Sequence, residues 1–149
     1  MTNIRDIWLH AHHMLRSARQ IVNNNLRPLN LSSAEGNILL HLLTQGKELR
    51  QEDLVAQLDI SKPAVSRALN SLEKKGFVTR EPDPGDRRAH RVRLTDRALE
   101  ISPAVEQAYN EMYALAVQDI SQDELAEFLR LFNRISENFS RAEDRYAAH

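Results

Sequence analysis

Apolar side chains recur every three or four residues along most of this 149-residue chain, and this spacing predicts helices. The first predicted helix spans residue 4 to about residue 26 and ends before Pro28. Its apolar stripe consists of Ile4, Ile7, Trp8, Ala11, Leu15, Ala18, Val22 and Leu26. Shorter helices are predicted at 33–45, 51–58 and 62–75, and two longer ones follow Thr95 and Ser121. The pattern therefore indicates a mostly α-helical chain.

Polar residues at the predicted helix ends support these boundaries. The spacing of a capping box, in which a serine and a glutamate satisfy each other's backbone N–H groups, occurs at Ser32–Glu35 and at Ser121–Glu124. Ser61 is a suitable N-cap for the fourth helix, and Gly76 supplies the left-handed residue that helix ends favour.

Between residues 76 and 95 the pattern changes from helical spacing to alternation, which predicts a β-hairpin. One strand opens at Phe77-Val78 and closes at residues 80–82, and the return strand covers residues 90–94. Asp83-Pro84-Gly85-Asp86 places proline and glycine where a type II turn requires them. Residues 47–50 are expected to add a short third strand beside this hairpin.

A polar, cationic helix followed by an arginine-rich hairpin is the layout of a winged helix-turn-helix, so the predicted fold is mostly α (α+β). The helix suits the major groove of DNA, and the hairpin, or wing, suits the minor groove. The candidate DNA-contacting residues of the recognition helix are Ser61, Lys62, Pro63, Ser66, Arg67, Asn70 and Lys74. Those of the wing are Asp86, Arg87, Arg88, His90 and Arg91. The alternative is an ordinary solvated helix beside a charged surface hairpin.

The net charge of −1 hides a strong asymmetry along the chain. Residues 61–93 carry nine basic and four acidic side chains, a net +5. Residues 94–149 carry a net −6, and residues 1–60 are balanced. The positive charge is thus concentrated on the predicted recognition helix and wing, which favours a polyanionic partner facing that segment.

These segments resemble the MarR (multiple antibiotic resistance regulator) family of bacterial transcription factors. The similar motifs are Leu72-Glu73-Lys74-Lys75-Gly76, Asp86-Arg87-Arg88, Leu94-Thr95 and Leu26-Arg27-Pro28-Leu29. The chain departs from the family at Ala98, where glycine is frequent, and at Arg50, where a Ser or Thr helix cap is common. The resemblance implies that the aspartate of the Asp-x-Arg motif orients the arginine that enters the minor groove.

A single MarR-type domain over residues 1–149 is expected, with a winged helix-turn-helix lobe at 31–95 and dimerisation helices at 1–30 and 96–149. A palindromic site requires two recognition helices one DNA turn apart, which a symmetric dimer provides. The expected interface residues lie on the apolar stripes of the terminal helices: Ile4, Trp8, Met112, Leu125, Phe128, Phe132, Ile135 and Phe139. The alternative is that these stripes pack only within one chain.

His12, Arg16 and Arg19 lie along or near one edge of the first apolar stripe. They are candidates for a pocket that binds a small acidic effector, because a guanidinium can bind a carboxylate through two hydrogen bonds. The MarR resemblance implies anionic aromatic ligands near this position. The alternative is that they are ordinary boundary residues of an amphipathic helix. His10 and His13 are three residues apart but lack a third ligand, so no metal site is expected.

Several functions are excluded or disfavoured. The chain has no cysteine, no membrane-spanning apolar run and no signal peptide, so a cytoplasmic location is expected. It carries no phosphate loop, nucleophile elbow or zinc motif, so neither catalysis nor a cofactor is expected. The predicted function is that of a homodimeric repressor that binds a pseudo-palindromic operator and is released by a small anionic or aromatic effector. The alternative is a winged-helix module for protein–protein assembly without specific DNA binding.

Overall fold

The computed structural model describes residues 3–148 and contains helices with a small antiparallel sheet. The helices are α1 (Ile4–Leu26), α2 (Ser33–Thr44), α3 (Gln51–Leu58), α4 (Lys62–Lys74), α5 (Asp96–Ala116) and α6 (Gln122–Ala147), with one 3₁₀ turn at Arg27–Leu29. The strands are β1 (Glu48–Arg50), β2 (Val78–Asp83) and β3 (Asp86–Leu94). The mostly α fold with a winged helix-turn-helix is confirmed. The chain divides into two compact units, one ending at Met112 and the other beginning at Tyr113.

The helix boundaries follow the predicted caps. Ser32 Oγ accepts a hydrogen bond from the Glu35 N–H at 3.2 Å, and Glu35 Oε1 accepts one from the Ser32 N–H at 3.1 Å, as a capping box requires. Ser61 Oγ accepts from the Ala64 N–H at 3.3 Å and starts α4. Gly76 ends α4 with a φ of +81°, a conformation that residues with a side chain rarely adopt.

The three strands form one sheet in the order β1-β3-β2. Leu49 of β1 lies opposite Val92 of β3, and Val78 of β2 lies opposite Leu94. The short third strand expected at residues 47–50 is therefore present. Val78, Val92 and Leu94 are buried while neighbouring arginines face solvent, so the sheet closes one side of the core.

The core of the first unit combines residues from five helices and the sheet. Fully buried side chains include Leu26, Ile38, Leu39, Leu42, Leu54, Val65, Leu69, Leu72, Val78, Val92 and Val105. The ends of α1 and α5 therefore contribute to the same core as the helix-turn-helix. The domain boundaries at residues 31 and 95 stay a prediction.

A glycine allows α1 and α5 to approach the backbone of α2. A Cβ atom at Gly36 would lie 2.5 Å from Leu26 Cδ1 and 2.9 Å from Tyr109 Oη. Tyr109 is buried, and its hydroxyl donates a hydrogen bond to Asn37 Oδ1 at 2.6 Å. Because no larger residue fits at this position, Gly36 fixes how closely these helices pack.

Two details of the hairpin differ from the prediction. The return strand begins at Asp86, four residues before the expected His90, so Arg87 and Arg88 lie on β3 rather than in a loop. The expected type II turn is wrong, because Gly85 does not have the positive φ that its third position requires. Asp83 Oδ1 instead accepts a hydrogen bond from the Gly85 N–H at 2.8 Å, so a side chain closes the turn.

The second unit consists mainly of α6, which begins with the predicted capping box at Ser121 and Glu124. Phe128, Phe132 and Phe139 are each more than half exposed in the single chain. The rings of Phe128 and Phe132 stack with their centroids 5.9 Å apart. Among the helices of residues 3–148, none is both long and apolar enough to span a membrane.

Candidate nucleic-acid interface

The recognition helix α4 is anchored through one face and presents the other to solvent. Val65, Leu69 and Leu72 are completely buried, as their spacing predicted. The opposite face consists of Ser61, Lys62, Pro63, Arg67, Asn70 and Lys74, which are exposed, and Ser66, which is half-buried. All seven predicted residues of this helix therefore remain accessible to a partner, at least in part.

The exposed face of α4 is tied to the wing by Arg80 of β2. Arg80 Nε donates to Glu73 Oε2 at 3.2 Å, and its Nη2 donates to Oδ1 of Asn70. The Arg80 side chain is only 20% exposed, so the guanidinium is held between helix and strand. Arg80 was not among the predicted site residues, because nothing in the local pattern indicates which side of the sheet contacts α4.

The C-terminal end of α4 is fixed to α2 through Glu35. Lys75 Nζ lies 2.9 Å from Glu35 Oε2 and donates to the carbonyl oxygen of Asn30 at 2.6 Å. Ser71 Oγ also donates to Glu35 Oε2, at 3.1 Å. Burial of Glu35 opposes its ionisation, but the bonds from Lys75, Ser32 and Ser71 outweigh it and lower the pKa of this carboxyl. Lys75 is therefore a structural cation rather than part of the exposed surface.

The wing turn is held by a buried carboxylate. Asp83 is 4% exposed, and its Oδ2 lies 2.6 Å from Arg50 Nε and 3.7 Å from Arg91 Nε. The hydrogen bond from the Gly85 N–H has the largest effect on the pKa of Asp83 and lowers it. Both arginines lower this pKa further, and together these contacts outweigh the opposing effect of burial. Neither Asp83 nor Arg50 was a predicted site residue. The only sequence feature that singled out either residue was the position of Arg50 at the start of α3, where a Ser or Thr cap is common. The Arg50 side chain makes no capping bond there.

The arginines of the wing fall into two groups. Arg91 lies 2.8 Å from Glu48 Oε1 across the β1–β3 pair, and these contacts lower the pKa of Glu48 and raise that of Arg91. Arg87 and Arg88 are exposed, and neither guanidinium forms an ion pair with any residue between 3 and 148. Asp86 Oδ1 accepts a hydrogen bond from the backbone N–H of Arg88 at 2.9 Å. The aspartate therefore contacts the arginine's backbone rather than its guanidinium.

A cleft of ≈ 240 Å³ lies between α3 and the wing, beside the first residue of the recognition helix. Its lining residues come from α3, α4 and β3: Gln51, Glu52, Val55, Lys62, Arg88, Ala89 and His90. Gln51 Oε1 is buried there and has no hydrogen-bond partner among the described residues. Lys62, Arg88 and His90 were predicted separately, and the fold brings all three to one surface.

The predicted effector residues are not gathered in the same way. His12, Arg16 and Arg19 are exposed along α1. Arg16 donates to His13 Nδ1 at 2.6 Å, and the His12 ring packs edge-on against Trp8. The effector pocket stays a prediction. In residues 3–148, no group of three or more histidines and carboxylates is placed to hold a metal ion.

The fold and this surface define a winged helix-turn-helix protein. Residues 29–89 match the sequence model of the MarR family. A MarR transcriptional regulator from Methanosarcina mazei Go1 is 22% identical, with a TM-score of 0.82 over 93% of this chain and 99% of that chain. A crystal structure of MarR is 29% identical, with a TM-score of 0.74 over 91% and 98%. A cysteine-to-serine mutant of MarR from E. coli, complexed with operator DNA, is 23% identical, with a TM-score of 0.74 over 89% and 94%. The chain is therefore similar to the MarR family, in sequence over residues 29–89 and in fold over nearly its whole length.

Proposed function

We propose that this protein is a sequence-specific, DNA-binding transcriptional regulator that acts as a homodimeric repressor. The observation that carries the proposal is the shared cationic surface of α4 and the wing, on which Lys62, Arg88 and His90 line one cleft. Positive side chains on a protruding helix and an adjacent hairpin match the negative phosphates on both sides of a DNA groove. A protein with the same fold was solved in complex with operator DNA, which supports a DNA-binding use of the fold here.

The two elements have different roles on the duplex. The exposed face of α4 carries Arg67 and Asn70, which are side chains that read base edges in the major groove. Arg87 and Arg88 on β3 suit the minor groove, whose negative potential attracts guanidinium groups. Because Arg80, Glu35 and the core fix α4, its backbone needs little rearrangement on binding.

Dimerisation is proposed from the apolar residues that a single chain leaves exposed. Ile4 and Trp8 on α1 are 63% and 51% exposed, and Phe132 on α6 is 57% exposed. Large apolar side chains at helical spacing with this exposure are typical of an interface. A symmetric dimer would present two copies of α4 to the two halves of a pseudo-palindromic operator.

Release by an effector completes the proposal. A small anionic or aromatic compound bound near His12, Arg16 and Arg19 would stabilise a state whose recognition helices no longer match the operator spacing. Such a compound needs to bind the two states with different affinity, since equal binding shifts nothing.

Selection of binding sites from a random pool of double-stranded DNA tests the proposal directly. We expect an enriched motif with two inverted half-sites about one helical turn apart. Gel-shift titrations of that motif at about 50 and 200 mM salt should show a steep loss of affinity, because phosphate contacts release counterions. An assembly module without specific DNA binding would enrich no motif, and that result would reject the proposed function.

A further inference from the structure

We infer that Arg50 is a positioning residue for the wing, and that its ion pair with Asp83 directs the two wing-tip arginines into the minor groove of DNA. These arginines are Arg87 and Arg88. The inference rests on the proposed function and adds to it a residue that acts through the wing. Arg50 is the last residue of β1 and the N-cap of α3, so its backbone belongs to the sheet and to the helix-turn-helix at once. A tie from its side chain to the wing therefore fixes the wing relative to the helices.

The third strand supports only the base of the wing. Its last residue, Arg50, lies opposite Arg91 of β3. The part of β3 that precedes Arg91 has only β2 as a neighbouring strand. An isolated pair of strands is only marginally stable in water. Backbone pairing with β1 therefore does not hold the tip of the wing in place.

A bulge weakens the pairing of the tip itself. The β2–β3 register shifts between Pro82, which lies opposite His90, and Asp83, which lies opposite Asp86. Residues 87–89 fall between these two pairs and have no partner residue in β2. This segment contains both exposed arginines. The side chains proposed for the minor groove therefore stand on the least supported part of the wing, since a bulge disrupts the ladder locally.

The ion pair supplies the missing support. The side chain of Asp83, at the edge of the bulge, is 2% exposed, and its Oδ2 lies 2.6 Å from Arg50 Nε. Its Oδ1 accepts a hydrogen bond from the Gly85 N–H at 2.8 Å, so one carboxylate joins the start of α3 to the turn. Arg91 Nε is farther from Asp83, at 3.7 Å, and Arg91 also pairs with Glu48 at 2.8 Å. Arg50 is therefore the main tie, and without it the tip would lose more freedom on entering the groove.

Two substitutions with opposite charge changes test the inference. Arg50→Met removes a positive charge, whereas Asp83→Asn removes a negative one and keeps an oxygen for the Gly85 N–H. Both break the tie, so both should weaken recognition by the wing, whereas effects of charge alone would have opposite signs. The quantity measured is the ratio of affinities for two versions of the selected operator, with A·T-rich or G·C-rich outer flanks. Arginines inserted into a minor groove favour the narrow groove of A-tracts.

The expected ratios distinguish positioning from charge. The wild type should bind the A·T-flanked operator about fivefold more tightly, and Arg88→Ala should lower this ratio, which assigns it to the wing. Folded Arg50→Met and Asp83→Asn should each bring the ratio within about twofold, because a mobile wing has to be ordered on binding. Asp59→Asn is the matched control. It makes the same substitution at an exposed residue that forms no ion pair with any residue between 3 and 148, so it should keep the wild-type ratio.

The outcomes are distinct. Circular dichroism establishes which variants fold, and either Arg50→Met or Asp83→Asn alone tests the inference. It would be overturned by a wild-type ratio in either folded variant, by changes of opposite sign in the two, or by an equal loss in Asp59→Asn. A wild-type protein without a wing-dependent flank preference would overturn it as well. So would loss of the fold in both variants, because the pair would then stabilise the domain rather than direct the wing. In all these cases the wild type can still select a palindromic motif, which leaves the proposed function standing, whereas failure to select any motif rejects both.

Discussion

Replacing Glu35 with glutamine should destabilise the first unit, because this one carboxylate connects α2 to the recognition helix. Its Oε2 accepts from Ser71 Oγ and Lys75 Nζ, and its Oε1 accepts from the Ser32 N–H. Glu35 is 6% exposed. Glutamine has nearly the same shape, so the substitution changes charge and hydrogen bonding without opening a cavity.

The magnitude follows from the bonds that glutamine cannot make. Its Oε1 can still accept from the Ser32 N–H and from Lys75 Nζ, which lies 3.2 Å away, and its Nε2 can donate to Ser71 Oγ. The negative charge and the 2.9 Å hydrogen bond from Lys75 to Oε2 are lost, and a hydrogen bond to a charged group contributes roughly 1.5–3 kcal/mol. Lys75 is 25% exposed, so water compensates part of its loss. We therefore expect the free energy of unfolding to fall by about 1–2 kcal/mol at neutral pH.

The effect should depend on pH, with a sign set by the lowered pKa of Glu35 in the folded protein. A carboxyl whose pKa is lower when folded contributes stability that is fully present above its unfolded pKa. That contribution is lost as the pH falls through the folded-state pKa, where both states become protonated. The difference between wild type and Glu35→Gln should therefore shrink in acid.

Urea unfolding followed by circular dichroism measures this difference at neutral and acidic pH. It is repeated at several protein concentrations, because association would also shift the transition. Glu106→Gln is the matched control, since Glu106 is exposed on α5. Equal stability of Glu35→Gln and wild type at neutral pH would refute the argument. So would a difference that stays constant down to the most acidic condition at which the protein folds.

Three further predictions concern binding and assembly. Arg67→Ala should lower operator affinity by ~1–3 kcal/mol in a gel shift and leave the urea midpoint unchanged, because Arg67 is exposed. Phe132→Glu should abolish dimers in light scattering without unfolding α6, and a fully dimeric variant would remove this residue from the interface. Asp86→Ala should weaken operator binding but not binding to scrambled DNA, whereas Arg88→Ala should weaken binding to both. Asp86→Asn keeps an acceptor for the Arg88 N–H and should therefore retain much of the operator affinity.

The helices and their ends were predictable because the determining interactions are local. Capping boxes span four residues, and the Gly76 stop depends only on its own φ. The buried face of α4 follows from its 3.6-residue period. The turn at Asp83–Asp86 was predicted wrongly for a related reason. Proline and glycine in sequence are compatible with more than one turn, and a side-chain bond within Asp83–Asp86 selected the actual one.

The interactions that orient the candidate interface were not predictable, because they join residues distant in sequence. Arg50 reaches Asp83 across 33 positions, and Lys75 reaches Glu35 across 40. Such pairs depend on strand register and helix packing, which single-sequence patterns do not specify. In the sequence, Arg50 was only a departure from the family pattern at a helix cap. In the structure, its side chain forms an ion pair with Asp83 and so holds the wing turn.

These contacts also change the meaning of the charge count. Of the nine basic residues between 61 and 93, Lys75, Arg80, Arg91 and Arg93 are paired with carboxylates. The other five of these nine, which form no ion pair with any residue between 3 and 148, are Lys62, Arg67, Lys74, Arg87 and Arg88. The paired cations fix the backbone and the amide of Asn70, while the unpaired ones are available for phosphates and bases. The salt dependence of operator binding should accordingly reflect about five cations per subunit rather than nine, since a cation already neutralised by protein releases no DNA counterion.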